Sequence, residues 1–121
     1  MMKRLTIIII CMIATGLLFT TAFAAGDIEN GKALFNDTKF ASATSGNSCN
    51  TCHPNGAGVE KSGYKKEFNI MGGKQNSLEE VVNVCIEMAL KGKVIDTKSS
   101  QMKDIVAYIK SLKGKSQSPG Y

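Results

Sequence analysis

The sequence predicts an all-α protein of one domain with about four helices. Three segments carry helical periodicity or helix-terminal signals, at residues 26–37, 77–92 and 99–114. No segment shows the alternation of apolar and polar residues that indicates a β-strand, and no internal repeat is present. A chain of 121 residues is long enough for one such domain and little else.

Residues 1–24 have the composition of a secretory signal peptide. Two basic residues precede an apolar run, which ends in the sequence AFA at residues 22–24. We expect cleavage after this sequence, which would leave residues 25–121 in the periplasm or an equivalent exported compartment. The apolar run is nearly long enough to cross a bilayer, so a retained N-terminal anchor is the alternative.

Removal of the signal peptide changes the charge and the cysteine count. The remaining 97 residues contain 13 lysines, 10 acidic residues and no arginine, a net charge of +3. This mildly basic surface favours an acidic partner, and the lysines do not alternate with aromatic residues as in nucleic-acid-binding proteins. Three cysteines remain, Cys49, Cys52 and Cys85. An odd number in an exported chain indicates a ligand, a reactive thiol or an intermolecular bond.

The first helix is predicted over residues 26–37, with Asp27 as its N-terminal cap. Gly31 lies inside this helix, where glycine costs about 1 kcal/mol relative to alanine. We interpret Gly31 as a point of close approach by another helix, with a surface position of no consequence as the alternative. The sequence ASATSGNS at residues 41–48 then predicts a loop of small residues.

Residues Cys49-Asn50-Thr51-Cys52-His53 form the pattern C-x-x-C-H, which is typical of covalent haem c attachment. Cysteines at i and i+3 lie on one side of a helical turn, where their sulfurs can bond to the two vinyl groups on one porphyrin edge. His53 then directs an imidazole nitrogen at the iron. A redox-active dithiol, a disulfide and a zinc site are the alternatives, the last because three cysteines and one histidine could supply about four ligands.

Residues 77–92 give the clearest helical pattern. A capping box between Ser77 and Glu80 predicts its start, and Gly92 its end. One apolar stripe follows at helical spacing: Leu78, Val81, Val82, Cys85, Met88 and Ala89. This stripe places Cys85 on the inward face of the helix.

Residues 99–114 predict a second strong helix. Its buried stripe consists of Met102, Ile105, Val106, Ile109 and Leu112. Residues 115–121 are predicted to form a loose tail.

With these features the chain resembles a class I c-type cytochrome. The resemblance covers nearly all of residues 25–121 and depends on Gly31 and Phe35, the CNTCH sequence and Tyr108. It implies a small helical fold around one covalent haem, with one haem edge exposed. It also implies that the first and last helices cross, with Gly31 allowing the last helix to approach near Ile105 and Tyr108.

The attachment sequence does not fix the sixth ligand of the iron. His53 is the only histidine, so the soft donors that remain are Cys85, Met71, Met88 and Met102. Each methionine is more typical of a soft core residue than of a ligand. We favour Cys85, because ferric iron favours the thiolate form of a buried thiol beside it. Met102 and Met88 are the alternatives, ahead of Met71.

Residues 82–112, VNVCIEMALKGKVIDTKSSQMKDIVAYIKSL, also resemble the haem domain of sulfur-oxidation cytochromes of the SoxA and thiosulfate dehydrogenase type. In those proteins an inward cysteine of a comparable helix is the haem ligand. The segment is similar as well to the His/Cys-ligated NaxLS-type cytochromes of anaerobic ammonium-oxidising bacteria, in which two subunits pair. The resemblance implies Cys85 as distal ligand, with a homodimer or a heterodimer with a second c-type cytochrome as an expected assembly.

The expected function is one-electron transfer to a redox partner protein, without enzymatic turnover. A thiolate ligand stabilises ferric iron, so a low reduction potential is expected, and a weakened bond after reduction would allow NO or CO to bind. The alternative is the haem subunit of a thiosulfate-type oxidoreductase. Such a site needs cations to hold an oxyanion, best supplied by arginine, whereas this chain offers only Lys91 and Lys93 past the helix.

Overall fold

A computed structural model describes residues 25–115; the predicted signal peptide and residues 116–121 of the predicted tail lie outside the described residues. The described residues form four α-helices and a two-stranded sheet: α1 Ile28–Asn36, α2 Cys49–Cys52, β1 Phe68–Ile70, β2 Gly73–Gln75, α3 Leu78–Met88 and α4 Ser100–Ser111. Three single 3₁₀ turns join them: Phe40–Ser42, Pro54–Gly56 and Ser62–Tyr64. None of the helices within this part of the chain has the length and apolar character needed to cross a bilayer.

Helix α1 begins at the predicted cap. The Asp27 carboxylate accepts a hydrogen bond from the Asn30 amide at 3.0 Å, which satisfies one of the amides that the first helical turn leaves without a partner. The Asp27 amide in turn donates to the Asp104 carboxylate of α4 at 2.7 Å. The start of the first helix is therefore fixed to the last helix.

Helices α1 and α4 cross in close contact at Gly31. A Cβ atom at this position would overlap the Asp104 carbonyl oxygen and lie 2.8 Å from the Tyr108 Cβ. One turn further, the rings of Phe35 and Tyr108 meet edge to face. The expected approach of another helix at Gly31 is confirmed, because no larger residue fits there without moving backbone.

The short hairpin is the element that the sequence analysis did not predict. Strand β1 pairs antiparallel with β2, and Phe68 is opposite Gln75. Each strand has three residues, too few for an alternating pattern to stand out in the sequence. The turn places Met71 and Gly72 at φ values of 53° and 78°, and Phe68 packs into the core.

Helices α3 and α4 begin at capping serines. Ser77 Oγ accepts from the Glu80 amide at 3.2 Å, but the Glu80 carboxylate reaches back to the Asn76 amide instead of that of Ser77. Helix α4 starts in the same way, with Ser99 Oγ accepting from the Met102 amide. Of the predicted capping box of α3, the hydrogen bond to Ser77 Oγ is therefore present, whereas the bond from the Glu80 carboxylate goes to Asn76.

The inward face of α3 differs from its predicted stripe at one end. Leu78, Val81 and Val82 are buried as expected, whereas Met88 is 48% exposed. Ile86 is fully buried instead. The core forms where α3 and α4 pack with α1 and the 3₁₀ turn at Phe40, and its most enclosed side chains are Phe35, Ile86, Met102 and Ile105.

Candidate functional site

A cleft lined by all four helices lies beside this core. It contains about 620 Å³ of space that no atom occupies, part of it open to solvent. Its wall includes six large apolar side chains from α1, α3 and α4: Phe35, Leu78, Val81, Val82, Ile105 and Ile109. Apolar walls with few polar groups are typical of cofactor pockets.

The attachment sequence forms one rim of the cleft. Cys49 and Cys52 begin and end the single turn of α2, and both line the cleft with His53. The turn is fixed at its start, where the Ser48 amide donates to Thr51 Oγ1 at 2.9 Å, and at its end, where the His53 amide donates to the Cys49 carbonyl at 2.9 Å. The two sulfurs therefore come from one helical turn, the arrangement that two thioether bonds to one porphyrin edge require.

His53 has a fixed orientation. Its Nδ1 lies 2.9 Å from the carbonyl oxygen of Ala57. Because a carbonyl oxygen can only accept, Nδ1 carries the proton, and in the neutral imidazole Nε2 is then the nitrogen with the free lone pair. A hydrogen bond of this kind holds the ring of a metal-binding histidine and fixes its tautomer. The Ala57 contact was not predicted, since nothing in the sequence around residue 57 indicates which carbonyl lies beside the ring.

Cys85 of α3 lines the same cleft as the attachment sequence. Burial, together with a smaller contribution from the charge that Cys85 would carry, raises the pKa of the Cys49 thiol to about 11. Burial also raises the pKa of Cys85, with a smaller contribution from Cys52. These mutual effects show that the three sulfurs lie within electrostatic reach of one another, and the raised values describe free thiols without a bound cation.

The donor set fits a haem better than the alternatives. Cys49, Cys52 and Cys85 are free thiols, so the structure contains no disulfide among them. Within residues 25–115, no three or more histidine, cysteine or acidic side chains converge closely enough to hold a metal ion. Zinc needs about four ligands around one point. A covalently bound porphyrin would need only two of the sulfurs for its attachment, and the imidazole and the third sulfur would then be available to its iron.

The methionines lie outside the lining of this cleft. Met71 is 65% exposed at the hairpin turn, and Met88 lies half exposed at the end of α3. Met102 is fully buried in the core but does not contribute to the cleft wall. Of the four candidate distal ligands, the structure brings only Cys85 together with the attachment sequence.

No protein-family model, curated protein or solved structure matches this chain. The functional assignment therefore depends on the CNTCH sequence and on the geometry of the cleft.

A group of lysines borders one end of the cleft. Ser62 lines the cleft, and the turn that it begins packs on the end of α4, where a Cβ atom at Gly63 would lie 3.0 Å from the Lys110 Cα. The Lys113 ammonium lies 4.7 Å from the centre of the Tyr64 ring, within cation–π range. Four lysines from these two segments form what we call the lysine corner: Lys61, Lys65, Lys110 and Lys113.

Proposed function

We propose that this protein is an exported monohaem c-type cytochrome that carries one electron, with His53 and Cys85 as the axial ligands of its iron. One observation carries this proposal. The cleft is lined by Cys85 together with Cys49, Cys52 and His53, and none of the three methionines within residues 25–115 lines it. Four donors of these types around an apolar cleft are the set that one covalent haem with two axial ligands needs.

Each residue of the site has a separate task. Cys49 and Cys52 hold the macrocycle by thioether bonds, and the Ala57 carbonyl holds the proximal imidazole of His53 in one orientation. The bound haem supplies reversible one-electron chemistry at its iron. Cys52 is exposed, so a macrocycle attached to it would have an edge near the surface, where an electron could pass to a partner.

Cys85 determines the expected potential. Its thiolate carries a negative charge, which stabilises the ferric more than the ferrous state, and the apolar wall of the cleft screens this charge poorly. We therefore expect a low reduction potential. Loosening of the Cys85 bond after reduction would leave a position for CO or NO, which is the gas-binding role expected from the sequence.

The cleft wall supports a carrier over a sulfur-oxidising enzyme. A thiosulfate-type substrate is an oxyanion and needs cationic groups beside the iron. None of the residues that line the cleft is a lysine, and the chain after residue 24 has no arginine. Lys91, one of the two lysines that could replace arginine in such a site, is exposed beyond the end of α3.

The lysine corner is the surface that suits an acidic redox partner. The lysine corner adjoins the cleft through Ser62. Within residues 25–115 one ion pair is found, between Lys74 and Glu67, and it does not involve a lysine of the corner. Lysines without an ion-pair partner among the described residues, grouped near the half-exposed Tyr64, favour a local positive potential. Such a potential raises the rate of encounter with an acidic protein. The partner proposed here is therefore a protein with an acidic surface around its own redox centre.

Electron paramagnetic resonance of the ferric protein tests the axial ligands. We expect a low-spin thiolate spectrum that is lost in Cys85→Ala, whereas Met88→Ala and Met102→Leu keep it. Met102→Leu is chosen because Met102 is fully buried and leucine preserves its volume. Mass spectrometry of the same samples tests haem attachment. A colourless protein of unmodified mass after export with the haem-attachment machinery, or a Cys85→Ala protein with the wild-type ferric spectrum, would contradict the proposal.

A further inference from the structure

Two segments, one that precedes α2 and one that follows α3, are joined by backbone hydrogen bonds. We call the contact between residues 41–45 and residues 90–93 the seam. The Leu90 carbonyl accepts from the amides of Thr44 and Ser45, at 3.2 and 3.1 Å. A carbonyl that accepts two amides from one neighbouring segment holds that segment in a single register.

Three further contacts close the seam. The Lys93 amide donates to the Ala41 carbonyl at 2.7 Å, and Thr44 Oγ1 donates to the Lys91 carbonyl at 2.9 Å. Gly92 lies between them, and a Cβ atom on Gly92 would lie 2.7 Å from the Ala41 carbonyl oxygen. The two segments are so close that glycine alone fits here. This explains Gly92 better than its predicted role as a helix stop, because the residue with the left-handed φ at the end of α3 is Lys91, at 54°.

Backbone strain concentrates at the seam. Five non-glycine residues within 25–115 have positive φ, and three of them, Ala41, Ser42 and Lys91, belong to the seam. The other two, Asn55 and Met71, lie in separate turns. Side chains with a Cβ avoid this region unless surrounding contacts impose it. The seam contacts therefore hold both segments in conformations that the chain would leave if the contacts were lost.

The seam connects the two sides of the candidate haem site through short lengths of chain. Residues 41–45 lead directly into α2, which carries Cys49 at its start. Residues 90–93 follow α3, and the Cys85 carbonyl accepts from the amides of both Ala89 and Leu90, at 2.9 and 3.1 Å. A change in the spacing of the seam therefore acts on the attachment side and on the Cys85 side at once.

Asn83 fastens the far end of the same chain segment. Its carboxamide donates to the Ile95 carbonyl at 2.8 Å and accepts from the Ile95 amide at 2.9 Å. These two hydrogen bonds are partly buried, and they return the chain that follows the seam to the middle of α3, two residues before Cys85. The segment from Leu90 to Ile95 is thus held at both ends.

We propose that the seam, fastened by Asn83, is a positioning device that sets the separation between the His53 side of the cleft and Cys85. This inference rests on the proposed function, because Cys85 is a ligand only if haem fills the cleft. With the seam closed, Cys85 is held against the distal side of the cleft. With the seam loosened, Cys85 exchanges with external ligands. Gly92, Thr44 and Asn83 act here as positioning residues and touch neither the cofactor nor its iron.

Two variants loosen the seam by independent routes. Gly92→Ala introduces a methyl group against the Ala41 carbonyl, and Asn83→Leu removes both hydrogen bonds to Ile95 while keeping a side chain of the same branched shape. Gly73→Ala is the matched glycine control, since its methyl would meet the nearest side-chain atom at an ordinary 3.4 Å. Val106→Ala is the stability control, because Val106 is buried outside the cleft wall.

The primary measurement is the rate at which iodoacetamide alkylates Cys85 in the reduced protein as purified, followed by peptide mass. Thioether formation removes Cys49 and Cys52 as competitors, so the label reports on Cys85. We expect both seam variants to raise this rate about tenfold. A tenfold change corresponds to a loss of about 1.4 kcal/mol in the free energy that keeps the seam closed. CO should bind the reduced form faster by a similar factor, and Gly73→Ala should match the wild type.

The outcomes separate this inference from the proposed function. Wild-type alkylation rates in both seam variants would overturn the inference. An equal rise in Val106→Ala, at the same loss of stability, would also overturn it, because any destabilisation of the fold would then expose Cys85. If the protein carries no haem, its mass shows that the proposed function has failed. The rate of Cys85 alkylation in the haem-free protein still shows whether the seam keeps the Cys85 sulfur in the cleft. Seam variants that react at the wild-type rate would again overturn the inference.

Discussion

The rings of Phe35 and Tyr108 meet edge to face, with centroids 5.1 Å apart and planes inclined by 62°. This geometry places the positive edge of one ring against the negative face of the other. Both side chains are buried, and they join α1 to α4 one turn from the crossing at Gly31. The crossing is the structural support of the cleft, because Phe35 also contributes to the cleft wall.

Gly31→Ala should destabilise the fold. Alanine would gain about 1 kcal/mol of helix propensity, but its Cβ overlaps the Asp104 carbonyl, and overpacking costs typically about 1–3 kcal/mol, with the upper part of this range expected against backbone. We expect a net loss of about 1–2 kcal/mol in the free energy of unfolding, measured by urea titration. Lys32→Ala, an exposed change on the same helix, should alter it by less than about 0.5 kcal/mol. A stabilised Gly31→Ala protein would show that the helices can separate freely.

Tyr108 should make the fold sensitive to high pH. Burial raises its pKa above the ordinary value of 10.0, so the folded chain holds this proton more tightly than the unfolded chain. The corresponding stabilisation is fully present below pH 10 and is lost as the pH rises through the folded-state pKa. Urea titrations of wild type and Tyr108→Phe between pH 8 and 11 should show the wild type losing stability relative to the variant above pH 10. All other titratable groups are shared, so a difference that stays constant with pH would contradict this expectation.

Met71→Asn should stabilise the hairpin and leave the haem site unchanged. The methionine occupies a left-handed position, at φ 53°, that asparagine adopts more readily. We expect a gain of about 0.5–1 kcal/mol in the free energy of unfolding, with an unaltered ferric spectrum because Met71 does not line the cleft. Ile70→Val, a conservative change beside the same turn, is the control and should not stabilise the protein. Loss of the low-spin spectrum in Met71→Asn would identify Met71 as the distal ligand instead of Cys85.

Charge reversal in the lysine corner should slow electron exchange with anions. We expect the Lys65→Glu/Lys113→Glu protein to react several-fold more slowly with ferricyanide at low ionic strength, and the deficit should vanish at high salt. A cationic cobalt complex should show the opposite change. Lys39→Glu/Lys98→Glu alters the net charge equally at exposed sites outside the corner. Equal slowing by both pairs would show that the net charge, and not the corner, guides the reaction.

The structure bears out the sequence where local rules decide the outcome. Asp27, Ser77 and Ser99 cap helices within about one residue of the predicted starts, because capping depends on atoms two or three residues away. The i, i+3 spacing of the two motif cysteines likewise places both on the single turn of α2. These features need no information from the rest of the chain.

The sequence was less informative where distant segments meet. Met88 shares the stripe of Cys85 but is half exposed in the part of the chain that the structure describes, and a stripe along one helix does not show where its neighbours end. The hairpin at 68–75 was missed because strands of three residues are formed by their pairing and by the burial of Phe68, not by a pattern of their own. Glu80 bonds Asn76 in place of its predicted partner, because the chain enters α3 from the hairpin.

The amino-acid sequence by itself determined the helices, the C-x-x-C-H pattern at residues 49–53 and the short set of soft donors that the proposed function draws on. Spacing along one chain suffices for these, because they depend on periodicities of a few residues. Tertiary structure alone decided which donor lines the cleft with His53 and why residue 92 must be glycine. Those facts depend on distances between segments tens of residues apart, and only the packing of α3 against α4 and of loop 41–45 against loop 90–93 sets them.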